Sequence, residues 1–309
     1  IIGTLIAVHI AMPLIGTKGL IVAGAMVDIG LGIFLITRFM KNKPKLQVRL
    51  MAGASVALFL VVTLLTQFDP LKLASGVFRH GETNNLKSAN VLYYQDGKTA
   101  SISVVEEKSG NKVIITNGKP DAAIAPLDKK HSMDEDTMML LAAIPLVIHP
   151  KAKKLANIGM GSGLTTHTLM YSTQLSTVNT IEIEPAIVEG IRHFGASTEK
   201  ALIDPRSEIT IDDAKSFFSR NKTKYDIIIS EPSNPWVSGV AGLFSKEFYH
   251  HVNRYLNDDG VFVQWLQLYE TNFDLVASVF KALGKNFADY AVYSSNYGDI
   301  IIVASNGRN

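Results

Sequence analysis

Apolar and polar positions divide this chain into two regimes. Residues 1–68 hold three apolar blocks, 1–16, 20–37 and 50–68, whereas beyond Asp69 charged and apolar residues mix as in a water-exposed globular fold. A helix crossing about 30 Å of hydrocarbon needs roughly 20 apolar residues, so the second and third blocks are predicted to span a membrane. The first is shorter, and since the chain opens at Ile1 without a Met it reads as the tail of a helix begun upstream. No basic n-region and no small-residue cleavage site precedes the second block, which argues against a signal peptide.

Two titratable residues lie inside these blocks. His9 and Asp28 would both sit about 13 Å from a turn near residues 17–19, at about 1.5 Å per residue, if the first two blocks form a hairpin. A carboxylate within hydrocarbon needs a partner, so a His9–Asp28 contact is expected, with a neighbouring helix or a polar cavity as the alternative. The connection between the second and third blocks carries Arg38, Lys41, Lys43, Lys45 and Arg49, against Lys18 alone in the first turn. By the positive-inside rule that connection is cytoplasmic. One more crossing would then put the remaining chain outside the cytoplasm, away from adenosylmethionine-type cofactors. Lys72, Arg79 and Lys87 soften the asymmetry, and the side stays open.

Between residues 69 and 150 the composition changes to short β-rich runs separated by turns. Residues 91–94, 99–106 and 112–116 are rich in β-branched and aromatic side chains and are bounded by Asp96-Gly97, Ser109-Gly110 and Asn117-Gly118, which predicts a small antiparallel sheet of hairpins. Asp134 or Asp136 then caps an apolar helix over 138–148, with Pro145 positioned to kink or stop it.

From residue 151 onward, strands alternate with helices, the mark of an α/β fold. A strand over 154–160 runs into Gly159-Met160-Gly161-Ser162-Gly163 and then a helix over 164–171. Gly159, Gly161 and Gly163 let the backbone approach a ligand and aim helix N-terminal amides at it. The next strand, 177–183, carries Glu182 about 20 residues on, where a carboxylate can accept from both ribose hydroxyls. The G-x-G-x-G spacing and the lack of a second nucleotide half favour one nucleoside over a dinucleotide.

A third strand, 208–211, ends in Asp212-Asp213; Asp213 is a candidate acceptor for an adenine amino group, a helix N-cap, or both. The fourth strand, 225–230, delivers Glu231-Pro232-Ser233-Asn234-Pro235-Trp236 to the carboxyl edge, where open α/β sheets bind ligands. Glu231 is the candidate base for an attacking amine; the plainer reading is a turn cap in a proline-stiffened loop. A fifth strand, 261–265, brings Gln264, Gln267 and Tyr269 towards the same edge.

Formal charge is +2 and no Lys/Arg run interleaves with aromatics, so nucleic acid is not an expected partner. With no cysteine, disulfides and thiolate metal sites are excluded, and no metal site is predicted.

The chain resembles the spermidine synthase superfamily, in particular the membrane-fused spermidine synthase-like proteins of bacteria. The resemblance is carried by Phe68-Asp69-Pro70-Leu71, Ala74-Ser75-Gly76-Val77-Phe78-Arg79, Asn117-Gly118-Lys119, Ile158-Gly159-Met160-Gly161-Ser162-Gly163, Ile181-Glu182-Ile183-Glu184-Pro185 and Ser230-Glu231-Pro232-Ser233-Asn234-Pro235-Trp236. It implies transmembrane helices (1–68), a small β-hairpin domain with a connecting helix (69–150) and a Rossmann-like seven-stranded core of the methyltransferase type (151–309). It also implies a bacterial inner-membrane location, a possible homodimer or membrane-protein partner, and an amine acceptor. The co-substrate would be S-adenosylmethionine or its decarboxylated form, with no covalently bound cofactor. In these terms Gly159, Gly161, Ser162, Gly163, Glu182 and Asp213 bind the donor, and Glu231 and Asn234 fall on the two acidic positions of the catalytic loop.

The departures concern charge. Ser162 stands where the family places an aspartate for the donor's amino group, Asn234 replaces a second acid, and a tyrosine-histidine pair is not visible over 132–139, although His131 lies nearby. Polyamines need carboxylates to meet their charges. The reading is therefore a membrane-anchored aminopropyltransferase-like transferase, with a methyltransferase or a catalytically silent scaffold as alternatives.

Overall fold

The computed structural model describes residues 2–39, 44–81, 89–235, 237 and 239–307. Trp236, Lys41, Lys43 and Lys87 lie outside the described residues.

Two long apolar helices, Ile2–Phe39 and Lys45–Leu65, carry no buried residue and are long enough to cross a membrane. The first combines the first two apolar blocks and breaks at Gly16, whose φ of 65° and ψ of −179° are non-helical. Just past that break Thr17 donates its backbone N–H to Asp96 Oδ2 at 2.7 Å. Lys18, Ile21 and Val22 share an apolar cleft with Phe59, Val62 and Phe68. The break and the end of the second helix therefore face the globular part, and Arg38 and Lys45 lie towards the other ends of the two helices. The expected His9–Asp28 contact does not form: no ion pair or hydrogen bond joins them among the described residues, and both side chains are exposed.

The first sheet has four strands in the order β1-β2-β3-β4: Asn90–Asp96, Ser101–Glu106, Lys112–Thr116 and Lys119–Ile124. The Asn117-Gly118 turn predicted from sequence joins β3 to β4, with φ of 48° and 78° as a two-residue hairpin demands. β4 is an addition to the predicted sheet; Pro120 disguises it, and its place at the sheet edge explains why a residue without an N–H is tolerated. Alternation sorts β2 between two cores: Ile102 and Val104 pack with Met160, Leu164 and Ile187 of the large domain, and Val105 packs with Ala74, which follows the second long helix.

The connecting helix, Met133–Ile148, begins five residues before the apolar run. Its N-cap is Ser132, in a capping box with Glu135, rather than Asp134 or Asp136, and it continues through Pro145.

The second sheet has seven strands in the order β10-β11-β9-β8-β5-β6-β7. They are β5 Lys154–Ile158, β6 Thr177–Glu182, β7 Ser207–Ile211, β8 Tyr225–Ser230, β9 Leu256–Gln267, β10 Asp289–Ser294 and β11 Asp299–Ser305. β5 to β9 run parallel, β11 is antiparallel to β9, and β10, antiparallel to β11, runs in the direction of β5 to β9 again. This is the expected Rossmann-like seven-stranded core. Neighbouring residues of one strand enter opposite cores: Ile228, Phe262 and Ile302 face one layer of helices, and Ile227, Val263 and Ile301 the other. Because β5 leads to β6 on one side and pairs with β8 on the other, the strand order reverses between β5 and β8. That crevice is where such sheets bind ligands.

Candidate functional site

The glycine turn follows β5 at this reversal. Gly159 has φ of +90°, and a Cβ there would lie 2.8 Å from the Glu231 carbonyl oxygen, so only glycine lets the two loops touch. Its N–H donates to Ile181 O at 2.9 Å, and Glu231 N donates to Ile158 O at 2.9 Å, which stitches the ends of β5, β6 and β8 together. Gly161 and Gly163 also hold positive φ, and Gly163 leads into the helix Leu164–Leu169.

Glu182 ends β6 and is buried. Its Oε2 accepts from Met160 N of the glycine turn at 2.9 Å and its Oε1 from Glu184 N at 2.9 Å. These two amides orient the carboxyl group and leave lone pairs on both oxygens for a ligand. Burial nevertheless outweighs them and pushes its pKa up to about 7.

Glu231 lies immediately beyond β8, equally buried. Its Oε1 accepts from Asn157 Nδ2 at 2.7 Å and its Oε2 from Thr165 Oγ1 at 2.7 Å, so β5 and the helix after the glycine turn both aim it. Burial, reinforced by the charge of Glu182 and opposed by those two hydrogen bonds, pushes its pKa up to about 8. Two carboxyl groups thus flank one glycine turn, and the charge of Glu182 adds to the cost of ionising Glu231.

The other predicted residues are placed differently. Asp213 accepts from Ser216 N at 3.0 Å as the N-cap of the helix Ala214–Arg220, and its second oxygen has no hydrogen-bond partner among the described residues. Ser162 is fully buried and turns its Oγ to Met138 Sδ at 3.1 Å, so this position contributes no charge. Asn234 is fully buried, and neither its Nδ2 nor its Oδ1 has a hydrogen-bond partner among the described residues. Both ends of the Gln267 amide are likewise unpaired, whereas Gln264 spends its amide on Ser230 O and Trp265 O.

One residue was quoted in the sequence motif without a role. Glu184 caps the helix Pro185–Gly190 by accepting from Ala186 N at 3.0 Å, and its other oxygen accepts from Thr99 N at 2.6 Å, Thr99 Oγ1 at 2.8 Å and Ala100 N at 3.2 Å. Glu-Pro announces the cap, but the tie to the β1–β2 turn, 85 positions away, has no local signature. Since Glu184 N also holds Glu182, this side chain fixes the small sheet against the candidate ribose site. Glu184→Ala is expected to cost about 2–4 kcal/mol, because three backbone N–H groups lose their acceptor. Urea unfolding of the detergent-extracted chain checks this, and an unchanged midpoint would remove the clamp.

With this geometry in place, similarity to known proteins can be located. Residues 136–298, just over half of the 309, match the spermine/spermidine synthase domain. The polyamine aminopropyltransferase of Caldicellulosiruptor saccharolyticus is 28% identical over 207 residues, 67% of this chain and 72% of that protein. That of Methanocaldococcus jannaschii is 30% identical over 144 residues, 47% and 49% respectively. The spermidine synthase structure from Thermotoga maritima superposes with a TM-score of 0.60 at 24% identity, covering 70% of this chain and 73% of that one. A spermidine synthase in complex with the transition-state analogue AdoDATO gives a TM-score of 0.61 at 23% identity, covering 70% and 74%. At such identities the superpositions speak for the fold. The glycine turn, Glu182, Asp213, Glu231 and Asn234 all fall within the matched segment.

Proposed function

Because this chain belongs to the spermine/spermidine synthase family, we propose that it is a membrane-anchored aminopropyltransferase whose donor is decarboxylated S-adenosylmethionine. The observation that carries the reading is the pair of buried carboxyl groups, Glu182 and Glu231, on either side of the glycine turn at the point of strand reversal. Glu182, fixed by the amides of Met160 and Glu184, accepts from the ribose hydroxyls, and the free oxygen of Asp213 accepts from the adenine amino group. The relative from Caldicellulosiruptor saccharolyticus, named a polyamine aminopropyltransferase, supports the reaction class.

The chemistry is a displacement at carbon. The lone pair of a neutral amine attacks the donor methylene next to sulfur; a C–N bond forms, the C–S bond breaks, and its electron pair neutralises the sulfonium and leaves methylthioadenosine. The amine loses one proton, which Glu231 takes. A carboxylate whose pKa has been raised to about 8 is a far better proton acceptor near neutrality than an ordinary one.

The helices Ile2–Phe39 and Lys45–Leu65 hold the enzyme at the membrane. The small sheet and connecting helix close over a core that begins near residue 151. Arg38, near the end of the first helix, lies about 30 Å along it from the Gly16 break at about 1.5 Å per residue.

A charge test separates this reading from a vestigial pocket. Near pH 7 Glu182 and Glu231 together retain about one proton or more, and a sulfonium cation placed beside them favours their ionised forms. Binding of the decarboxylated donor should therefore release more protons per site than neutral methylthioadenosine, whose ribose hydroxyls favour the ionised form of Glu182 but which brings no cation to Glu231. Calorimetry in buffers of different ionisation enthalpy measures the difference. Equal proton counts for both ligands, or no binding by either, would defeat the assignment.

A further inference from the structure

Where the connecting helix crosses the start of β11, two carboxylates lack a cation. Asp299 is buried and accepts only from neutral groups, Trp265 Nε1 at 3.1 Å and Asn296 Nδ2 at 2.9 Å among them. Asp134, in the first turn of the connecting helix, accepts from Ala123 N at 2.8 Å through Oδ2, and its Oδ1 has no hydrogen-bond partner among the described residues. No Lys, Arg or His forms an ion pair with either acid among the described residues. Lys119, whose charge reaches Asp134, is itself paired with Asp121 at 2.8 Å. Burial, opposed by the Ala123 hydrogen bond and reinforced by the charge of Asp299, pushes the Asp134 pKa up to about 6.

A second observation marks the same place. Gln267 is fully buried, and both ends of its amide lack partners among the described residues. It stands directly opposite Asp299 in the antiparallel β9–β11 pair, so the two side chains leave the same face of the sheet. The connecting helix covers that face, since Thr137 Oγ1 donates to Asp299 Oδ2 at 3.3 Å. Buried acids without a cation and a buried amide without a partner are both costly, and one alkylammonium, with its charge and three N–H donors, offsets both.

This corner adjoins the candidate site from two directions. Asp134 and Met138 lie four residues apart on one helix face, about 6 Å at about 1.5 Å per residue, and Met138 Sδ accepts from Ser162 of the glycine turn at 3.1 Å. Asp121, two residues before Ala123 on β4, accepts from Ser233 in the loop after β8 at 3.1 Å.

We propose that Asp134, Asp299 and Gln267 form a subsite for a primary alkylammonium group of a substrate, so that the charge which Ser162 and Asn234 do not supply comes from the connecting helix and β11. This rests on the aminopropyl-transfer reading above, in which the donor's propyl chain and a diamine acceptor each carry such a group. The three are specificity residues, and proton removal stays with Glu231.

The test uses the full chain in detergent at about pH 8, with calorimetry on two matched pairs. The donor pair is 5′-(3-aminopropylthio)adenosine against 5′-butylthioadenosine; the acceptor pair, with methylthioadenosine bound, is 1,4-diaminobutane against pentylamine. In at least one pair the ligand with the additional ammonium is expected to bind about tenfold or more tightly, which tells whether donor or acceptor occupies the subsite. Asp134→Asn and Asp299→Asn should each cut that preference to about threefold or less while leaving the partner ligand's affinity unchanged. Absence of a preference in both pairs overturns the subsite even if the variants fail to fold, and so does a preference that both variants retain. Adenosine thioethers that bind equally well leave the transferase reading standing; if neither binds, that reading fails and the subsite goes with it.

Discussion

With Glu231 replaced by Gln, turnover falls by about 10²–10⁴-fold while donor affinity stays within about threefold of the unaltered chain. Gln keeps the shape and can still bond Asn157 and Thr165, which hold Glu231 at 2.7 Å each, but it takes no proton from an amine. The same substitution separates catalysis from stability. Burial raises the Glu231 pKa from 4.5 to about 8, so between those values the folded chain binds a proton that the unfolded chain releases. Stability contributed by this group therefore falls as pH rises through that window, and the cost is complete above about pH 8. Glu231→Gln should melt higher than the unaltered chain near pH 9, by on the order of a few kcal/mol, with the gap closing below about pH 4.5. In the unaltered enzyme kcat/KM should rise with pH through about 8. Retained turnover in the variant, or a flat profile, contradicts the base.

Glu182→Ala should weaken methylthioadenosine binding by about 10²-fold or more, since hydrogen bonds from both ribose hydroxyls to a charged acceptor contribute about 1.5–3 kcal/mol each. A second effect follows from the coupling of the two acids. Glu182 adds to the cost of ionising Glu231, so its removal lowers the Glu231 pKa and moves the rise in kcat/KM to lower pH. A merely structural Glu182 would not shift that midpoint. Calorimetry reads the first effect and a pH series at saturating donor the second; unaltered affinity would remove the ribose role.

Much of this architecture is visible in the sequence because it is written in local signals. Strands β5, β6, β7 and β8 are short apolar runs bounded by glycine, proline or Asp, and the Asn117-Gly118 hairpin is set by turn chemistry alone. Features that depend on distant partners were hidden. Pro120 masks β4, which is tolerated only because the strand lies at an edge. The cap of the connecting helix is Ser132 rather than either predicted Asp, because the helix gains a turn over residues 133–137 that carries little apolar signal.

His9 and Asp28 match in depth only if the first two apolar blocks fold back on each other as a hairpin, and depth does not determine the facing direction of either side chain. At the site, glycine spacing and strand-end acids mark Glu182 and Glu231. The grip of Glu184 on Thr99 and the unpaired amides of Asn234 and Gln267 arise from tertiary contact, which no period or motif encodes.

The most direct measurement is a structure of the detergent-extracted chain with methylthioadenosine bound. The account predicts the nucleoside across the glycine turn, both ribose hydroxyls within hydrogen-bond distance of Glu182, and its sulfur on the side of Glu231. A nucleoside bound at another surface, or a Glu182 that makes no contact with the sugar, would contradict it.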